Sequence, residues 1–388
     1  MQVIHAGQSF PPSWSVAVFL AGPTPRSPDV PSWRPEALAL LAEAGFRGVV
    51  FVPETASGDR SPDYDDQVEW ERQGLNFADR ILFWVPRDLE RMPALTTNVE
   101  FGRWCTSGKV VLGFPRSAPK NKYLQWLAGV EGVPVSHTLR ETITAALEGS
   151  TDAAERRAGE RHIPLHVWRT PAFQAWYESY KRAGNSLEEA RLVWSFCRPG
   201  TRQTFAHVLH ARIWVAAEGR YKDNEWVLSR PDVACVVLYH RPPGAKLLDT
   251  QVVLVREFRT AARTTDGFVR ELPGGSHAEA GWSPEEVALA EVREETRLLL
   301  AGEQLRRVGS RQLVGTLSSH HGHVFAAELT DAERSGLRER AATGVVGGVT
   351  EDTERTFVEV VTLRELLGEG LADWATVGMV LQALTPRS

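Results

Sequence analysis

Within the first 113 residues, short apolar runs alternate with stretches of helical spacing, and that order leaves few folds open. Ser15 to Ala21 (SVAVFLA) breaks into Gly22-Pro23-Thr24, Gly48 to Val52 ends at Pro53, and Arg80 to Val85 (RILFWV) and Lys109 to Gly113 follow. Runs this short and this continuously apolar predict strands buried on both faces. Pro35 to Ala44, Asp66 to Asn76 and Asn98 to Ser107 carry helical spacing between them. Strands alternating with helices predict an α/β domain over residues 1–149, a doubly wound parallel sheet with helices on both faces. Ligands of such sheets bind beyond the carboxyl ends of the strands. The residues expected there are Gly22, Pro23, Thr24, Glu54, Trp84, Arg87 and a TTNVE segment containing Asn98 and Glu100. Taken alone, Glu100 is equally an ordinary acid near a helix N-terminus, with Thr96 or Asn98 as cap.

A second informative stretch is Glu271 to Thr296, ELPGGSHAEAGWSPEEVALAEVREET. Ser283 suits an N-cap, Pro284 the first helical position and Glu286 the reciprocal acid of a capping box, so a helix is expected to begin there. Glu291, Glu294 and Glu295 then fall at i, i+3 and i+4 and share one helix face. Three carboxylates so close repel one another unless a hard cation sits among them, which points to Mg²⁺ or Mn²⁺; the alternative is an acid-rich face in water.

With 388 residues, 43% apolar and 24% charged, and a net charge of −5, the chain has material for two or three domains. No long basic run offers a nucleic-acid footprint. Cys105, Cys197 and Cys235 are odd in number and widely spaced, so neither a disulfide framework nor a zinc site is expected, which suits a cytoplasmic location. No positively charged start runs into an apolar core, and no apolar stretch approaches 18 residues, so neither a leader nor a membrane span is expected. The thirteen tryptophans are expected chiefly in cores.

Residues 150–200 read as a helical connector. Phe173, Trp176, Tyr177 and Tyr180 lie at i, i+3, i+4 and i+7, a packing stripe, and two helices hinged at Gly184-Asn185 are expected to clamp the flanking domains or to form a homodimer contact. Over residues 201–388, Ala211 to Ala216, Ala234 to Tyr239, Gln251 to Phe258, Val324 to Leu329 and Thr356 to Val361 read as strands, and Val377 to Leu384 as a closing helix. His320, His321 and His323 attract notice as a metal cluster, but such spacing on a Gly turn is more often a substrate-lining or solvated loop.

Four ordered pieces carry a resemblance: FLAGP (Phe19 to Pro23), DDQVEWE (Asp65 to Glu71), ADRILFWVPR (Ala78 to Arg87) and TTNVEFG (Thr96 to Gly102). Together they resemble the nucleoside 2-deoxyribosyltransferase-like family over most of residues 14–130. By that resemblance Glu100 is the nucleophile on the anomeric carbon, and Asp79, Asp65 or Asp66 is the acid that protonates the departing base. A carboxylate suits an oxocarbenium-like centre, which it stabilises or traps. Gly22 would let backbone approach the sugar or phosphate, and Arg87 would hold a phosphate. Glu69 and Glu71, flanking Trp70, read as a solvated helix face, with Trp70 against the sheet.

The acid-rich helix, the preceding ELPGG and VLVREFR (Val253 to Arg259) resemble the Nudix hydrolases, most closely their ADP-ribose pyrophosphatase branch. The resemblance implies an α/β/α sandwich with a mixed sheet over residues 201–388. It places metal on Glu291, Glu294, Glu295 and Glu271, and the diphosphate at Arg256 and Arg259. A catalytic base would come from Glu351, Asp352 or Glu354 in the Gly-rich loop at residues 344–355. The family's pattern is broken: Trp282 stands for its first Glu, Ala290 for its Arg and Arg297 for its last Gly, and the spacing from Gly275 is one residue too long. The two resemblances together predict a bifunctional enzyme. One domain would cleave or transfer an N-glycosidic bond of a nucleoside or nucleotide, and the other would hydrolyse a nucleoside diphosphate derivative. Small molecules are the expected partners, with no nucleic acid and no membrane. The alternative is that the second domain senses a nucleotide such as ADP-ribose and regulates the first.

Overall fold

The computed structural model describes residues 1–27, 29–56, 64–150, 153–197, 203–276, 281–344, 347, 355–368, 370 and 372–385. The apolar runs near the N-terminus form a six-stranded sheet of β1 (Gln2–His5), β2 (Ala17–Ala21), β3 (Val49–Val52), β4 (Arg80–Trp84), β5 (Val110–Gly113) and β6 (Val135–Ser136). Their order is β1-β3-β2-β4-β5-β6 and each pairing is parallel, with Val18 opposite both Val50 and Arg80. Every residue of β2, β3 and β5 is buried, because helices cover both faces. On one face lie α1 (Arg34–Glu43) and α5 (Leu139–Leu147), burying Ala37, Leu41, Leu139 and Ile143 against Val18, Leu20 and Val50. On the other lie α2 (Tyr64–Phe77), α3 (Leu95–Trp104) and α4 (Lys122–Val130), burying Trp70, Phe77, Phe101 and Leu124 against Phe19, Phe51 and Phe83. Trp70 packs against the sheet side as expected and donates from Nε1 to the Gln8 carbonyl.

The expected helical connector is half right. Thr170 caps α6 (Pro171–Arg182), whose Phe173, Trp176 and Tyr177 are buried. The second predicted helix is instead a strand, β7 (Ser186–Cys197), in an antiparallel sheet ordered β9-β8-β7 with β8 (Thr204–Val215) and β9 (Arg220–Ser229). The α6 stripe closes over one face of that sheet, against Leu187, Ala190, Leu209, Ala211 and Ile213. A stripe that needs a flat apolar partner selects a strand beside it over a second helix. Residues Met1–Ser229 form one compact unit, so the antiparallel sheet groups with the parallel one.

The second unit, Arg230–Ser388, is a mixed sheet. Its strands are β10 (Val233–His240), β11 (Gln251–Phe258), β12 (Phe268–Glu271), β13 (Gly274–Gly275), β14 (Arg306–Gln312), β15 (His321–Glu328) and β16 (Phe357–Thr362). Strands β10 and β15 run parallel and the remaining pairings are antiparallel. One face packs on α7 (Pro284–Thr296) and α8 (Asp331–Thr343) through Val287, Ala288, Val292 and Leu337. The other packs on α9 (Leu363–Gly368) and α10 (Trp374–Leu384) through Leu363, Leu366 and Val380. Among the described residues, no helix is long and apolar enough to cross a membrane.

Candidate active site

A cavity of about 300 Å³ opens at the carboxyl ends of β2 and β3, the position a parallel sheet reserves for ligands. Gly22, Pro23 and Thr24 line it from the loop after β2, Pro53 from the end of β3, and Thr96, Thr97 and Glu100 from α3. Helix α2 adds Tyr64, Gln67, Val68 and Glu71, spaced i, i+3, i+4 and i+7 along one face.

Arg34, at the start of α1, holds these strand ends together from beneath. Its fully buried guanidinium pairs with Glu54 and donates to the Leu20 carbonyl (3.2 Å), the Gly22 carbonyl (2.8 Å) and Thr24 Oγ1 (3.2 Å). Glu54 also accepts from the Ser32 hydroxyl at 3.0 Å. Trp33 Nε1 donates to the Pro23 carbonyl at 3.2 Å, so the loop is fixed at three successive residues. Gly22 sits at φ +150°, and a Cβ there would come 2.2 Å from the Trp84 carbonyl oxygen and 2.9 Å from the Trp33 ring. The glycine is therefore required by close packing on β4, whatever binds above it.

Glu100 lies in the second turn of α3, deeper in the helix than a cap position. Burial pushes its carboxyl up to about 8, the neighbouring Glu71 pushes the same way, and Arg34 opposes them. Glu71 is positioned by Gln67, whose Nε2 donates to it at 2.8 Å. Two carboxylates thus face one cavity, the arrangement that separates acid and base roles. Sequence reasoning put Glu71 on a solvated helix face, whereas it lines this cavity. Its signal was the i+4 relation to Gln67 combined with the buried Trp70 beside it, which fixes how α2 is rotated. Arg26, also on the cavity wall and exposed, was missed as well.

The other expected site residues do other work. Asp79 precedes β4 at the opposite end of the sheet, one strand length or about 16 Å from the cavity. It is 1% exposed, pairs with the buried Arg156 and accepts from the Ala17 and Leu165 amides at 2.8 and 2.9 Å. An acid so fully engaged is a structural anchor. Asp65 and Asp66 are exposed in the first turn of α2, off the face that lines the cavity. Arg87 does not reach a phosphate position: it is buried, and its three nitrogens donate to Asn121 (3.0 Å), the Pro93 carbonyl (2.9 Å) and Asn98 (2.6 Å). Asn98 and Arg87 instead fix the entry into α3, and Trp84 is buried behind Gly22.

In the second unit, Ser283 and Glu286 form the expected capping box at the start of α7. Glu295 accepts from the Gly274 amide at 2.9 Å, and burial raises its carboxyl well above the usual range, helped by Glu291 and Glu257. Glu291 packs against Gly275, where a Cβ would meet its Oε1 at 2.2 Å. Glu294 is half-buried on the same helix. Arg259 lies among the acids, pairing with Glu257 at 3.0 Å and Glu271 at 2.9 Å. Arg256 pairs with Asp266 at 2.8 Å and lies 4.0 Å over the Phe268 ring. His323 Nε2 and the His321 amide contact Asp232, while His320 contacts Ser318, so these histidines serve a turn. Glu351, Asp352 and Glu354 lie outside the described residues. Arg297 ends α7 at φ +58°, the left-handed position that usually takes glycine.

The strand-end cavity thus carries two carboxylates, those of Glu71 and Glu100. Residues 15–118 match the model of the family described as nucleoside 2-deoxyribosyltransferase like. That span contains β2 to β5 and every residue lining the cavity, so the chain carries a nucleoside 2-deoxyribosyltransferase-like domain, which implies glycosyl transfer on nucleosides. No match to a curated protein was found.

Proposed function

We propose that the N-terminal unit breaks or transfers the N-glycosidic bond of a nucleoside or nucleotide, with Glu100 and Glu71 as its two working carboxylates. The observation that carries this reading is their convergence on one strand-end cavity, with Glu100 held protonated near neutral pH when the cavity is empty. With substrate bound, the proton of the pair passes through Glu71 to the departing base nitrogen. The C1′–N bond breaks with its electrons on the base, and the ionised Glu100 forms a bond to C1′. Water or a second base then displaces Glu100 from C1′, and Glu71 takes up the proton released. Arg26 at the cavity wall would face a substrate phosphate. Free base released from a panel of nucleosides and their 5′-monophosphates tests the reading: Glu100→Ala abolishes release, and Arg26→Ala raises KM for the phosphates only. Release that survives Glu100→Ala refutes it.

For residues 230–388 we infer a Nudix-like unit that binds a nucleotide rather than turning it over. The helix over the Gly274-Gly275 turn and the mixed sheet between helices support the likeness. Carboxylate oxygens are the donors Mg²⁺ or Mn²⁺ prefers. Here, however, Arg259 supplies the positive charge to Glu257 and Glu271, and among the described residues no three His, Cys, Asp or Glu side chains are grouped to hold a metal ion. That pairing supports a reading in which Glu257 and Glu271 are held by Arg259 and not by a divalent ion. Mg²⁺-dependent release of phosphate-containing product from ADP-ribose or NAD, abolished by Glu295→Gln, would overturn this second reading in favour of a hydrolase.

A further inference from the structure

The N-terminal unit contains a second cavity, of about 220 Å³, away from the strand ends. It lies where the C-terminal turns of α2 and α3 meet β7, and its walls combine cations with aromatic faces. Arg103 and Arg191 bring two positive side chains, Lys109 brings an amine that burial pushes down to about 7, Trp104 and Trp194 bring two indoles, and His162 adds an imidazole. No carboxylate is among the described residues that line it. Arg72 at its edge is already paired with Glu69, whereas Arg103 and Arg191 are exposed and make no ion pair among the described residues. Lys109 is buried, donates to the Leu75 and Asn76 carbonyls at 2.8 and 2.9 Å, and lies 4.7 Å over the Trp104 ring. Trp194 is 49% exposed and stacks on Phe196 at 13° between planes, so a broad indole face is held ready in water.

Each half of this wall has a physical requirement that the protein itself leaves unmet. Cations gathered without acids repel one another and attract an anion, and guanidinium groups favour phosphate because their forked donors match its oxygens. An exposed indole gains by stacking on a flat ring, which for nucleobases amounts to about 1 to 3 kcal/mol. We infer that this cavity is a second binding site for a nucleoside phosphate, with the base on the Trp194 face and the phosphate between Arg103 and Arg191. The site is separate from the catalytic cavity, yet α2 and α3 line both: Glu71 and Glu100 face one, and Asn76 and Trp104 face the other. The assignment stands whether or not Glu100 is a nucleophile, since it uses none of the residues that chemistry requires.

Isothermal titration of the full chain with AMP tests it, carried out in a Glu100→Ala background so that no turnover intervenes. Arg103, Arg191 and Trp194 are exposed, so their substitution leaves the core intact. The expected result is an AMP-binding event, separate from any at the strand-end cavity, that the Arg103→Ala, Arg191→Ala double variant weakens at least tenfold, as loss of charge-assisted contacts requires. Trp194→Ala is expected to weaken the same event roughly fivefold. An AMP isotherm unchanged by the double variant, or no AMP binding at about 1 mM, overturns the site. Inorganic pyrophosphate binding as tightly as AMP overturns the stacking half of the assignment. Adenosine binding as tightly overturns the phosphate half.

Discussion

The sharpest consequence of the catalytic cavity concerns the substitution Glu71→Gln. The Glu100 carboxyl is pushed up to about 8 from an ordinary 4.5, which corresponds to roughly 5 kcal/mol. Burial is the largest cause and the charge of Glu71 the next, with Arg34 pulling the other way. Glutamine keeps the shape and the contact with Gln67 but removes the charge. A neighbouring unit charge in a medium of effective dielectric about 20 contributes about 4 kcal/mol at most, and the open mouth of the cavity reduces it. The midpoint of Glu100 is therefore expected to fall by about 1 to 2 pH units in Glu71→Gln while staying above 4.5, because burial is unchanged. Carbon-detected NMR of the glutamate carboxyls, titrated with and without Glu100→Gln for assignment, reads this midpoint directly. A midpoint that stays put or rises in Glu71→Gln would refute the carboxylate pair, and with it the proton route through Glu71.

Asp79→Asn strands Arg156 as an uncompensated buried charge and is expected to cost about 3 to 5 kcal/mol in urea denaturation, with kcat of the folded protein preserved; loss of kcat at unchanged stability would return Asp79 to the active site. Burial holds His162 and His207 down to about 4 and His166 to about 3, below the ordinary 6.5. Their contribution to stability is complete above 6.5 and is lost as the pH falls from there through 4, so Tm should decline across that window, and a level Tm would count against their burial. Gly22→Ala drives a Cβ into the Trp84 carbonyl and is expected to cost about 3 kcal/mol and to reshape the cavity, seen as lower Tm together with loss of base release.

The parallel sheet was legible because strands covered on both faces must be apolar throughout, and Ala17–Ala21 and Val49–Val52 are. The α6 stripe was legible for the matching reason, a 3.6-residue period. Strand β7 was not, since its pairing with β8 shifts register between Val208 and Leu209 and again between Arg212 and Ile213, and such irregularities break the two-residue alternation on which a strand is recognised. The strand-end residues Gly22, Pro23, Thr24 and Glu100, read together from their order in the chain, line one cavity. What a linear reading cannot hold is partnership across distance. Asp79 looked like a free acid because Arg156 lies 77 residues away, and Glu71 looked solvated because the rotation of α2 is decided by packing beneath Trp70. Arg87 looked like a phosphate clamp until the backbone and amide oxygens around it accounted for its donors.

Arg34 bears on how this domain is able to drift over generations. One guanidinium answers to a carbonyl at Leu20, another at Gly22, a hydroxyl at Thr24 and the carboxylate of Glu54, on two different strand ends. Lysine, with one compact ammonium, cannot span that geometry. A replacement of Thr24, Arg34 or Glu54 alone leaves the others with an unmet partner, so a change at one of them is expected to need changes at the others. Substitutions at Arg26, Tyr64, Val68 and Leu95, which line the cavity and take no part in that cluster, are therefore expected to alter what it accepts without loosening the loop that Arg34 ties down.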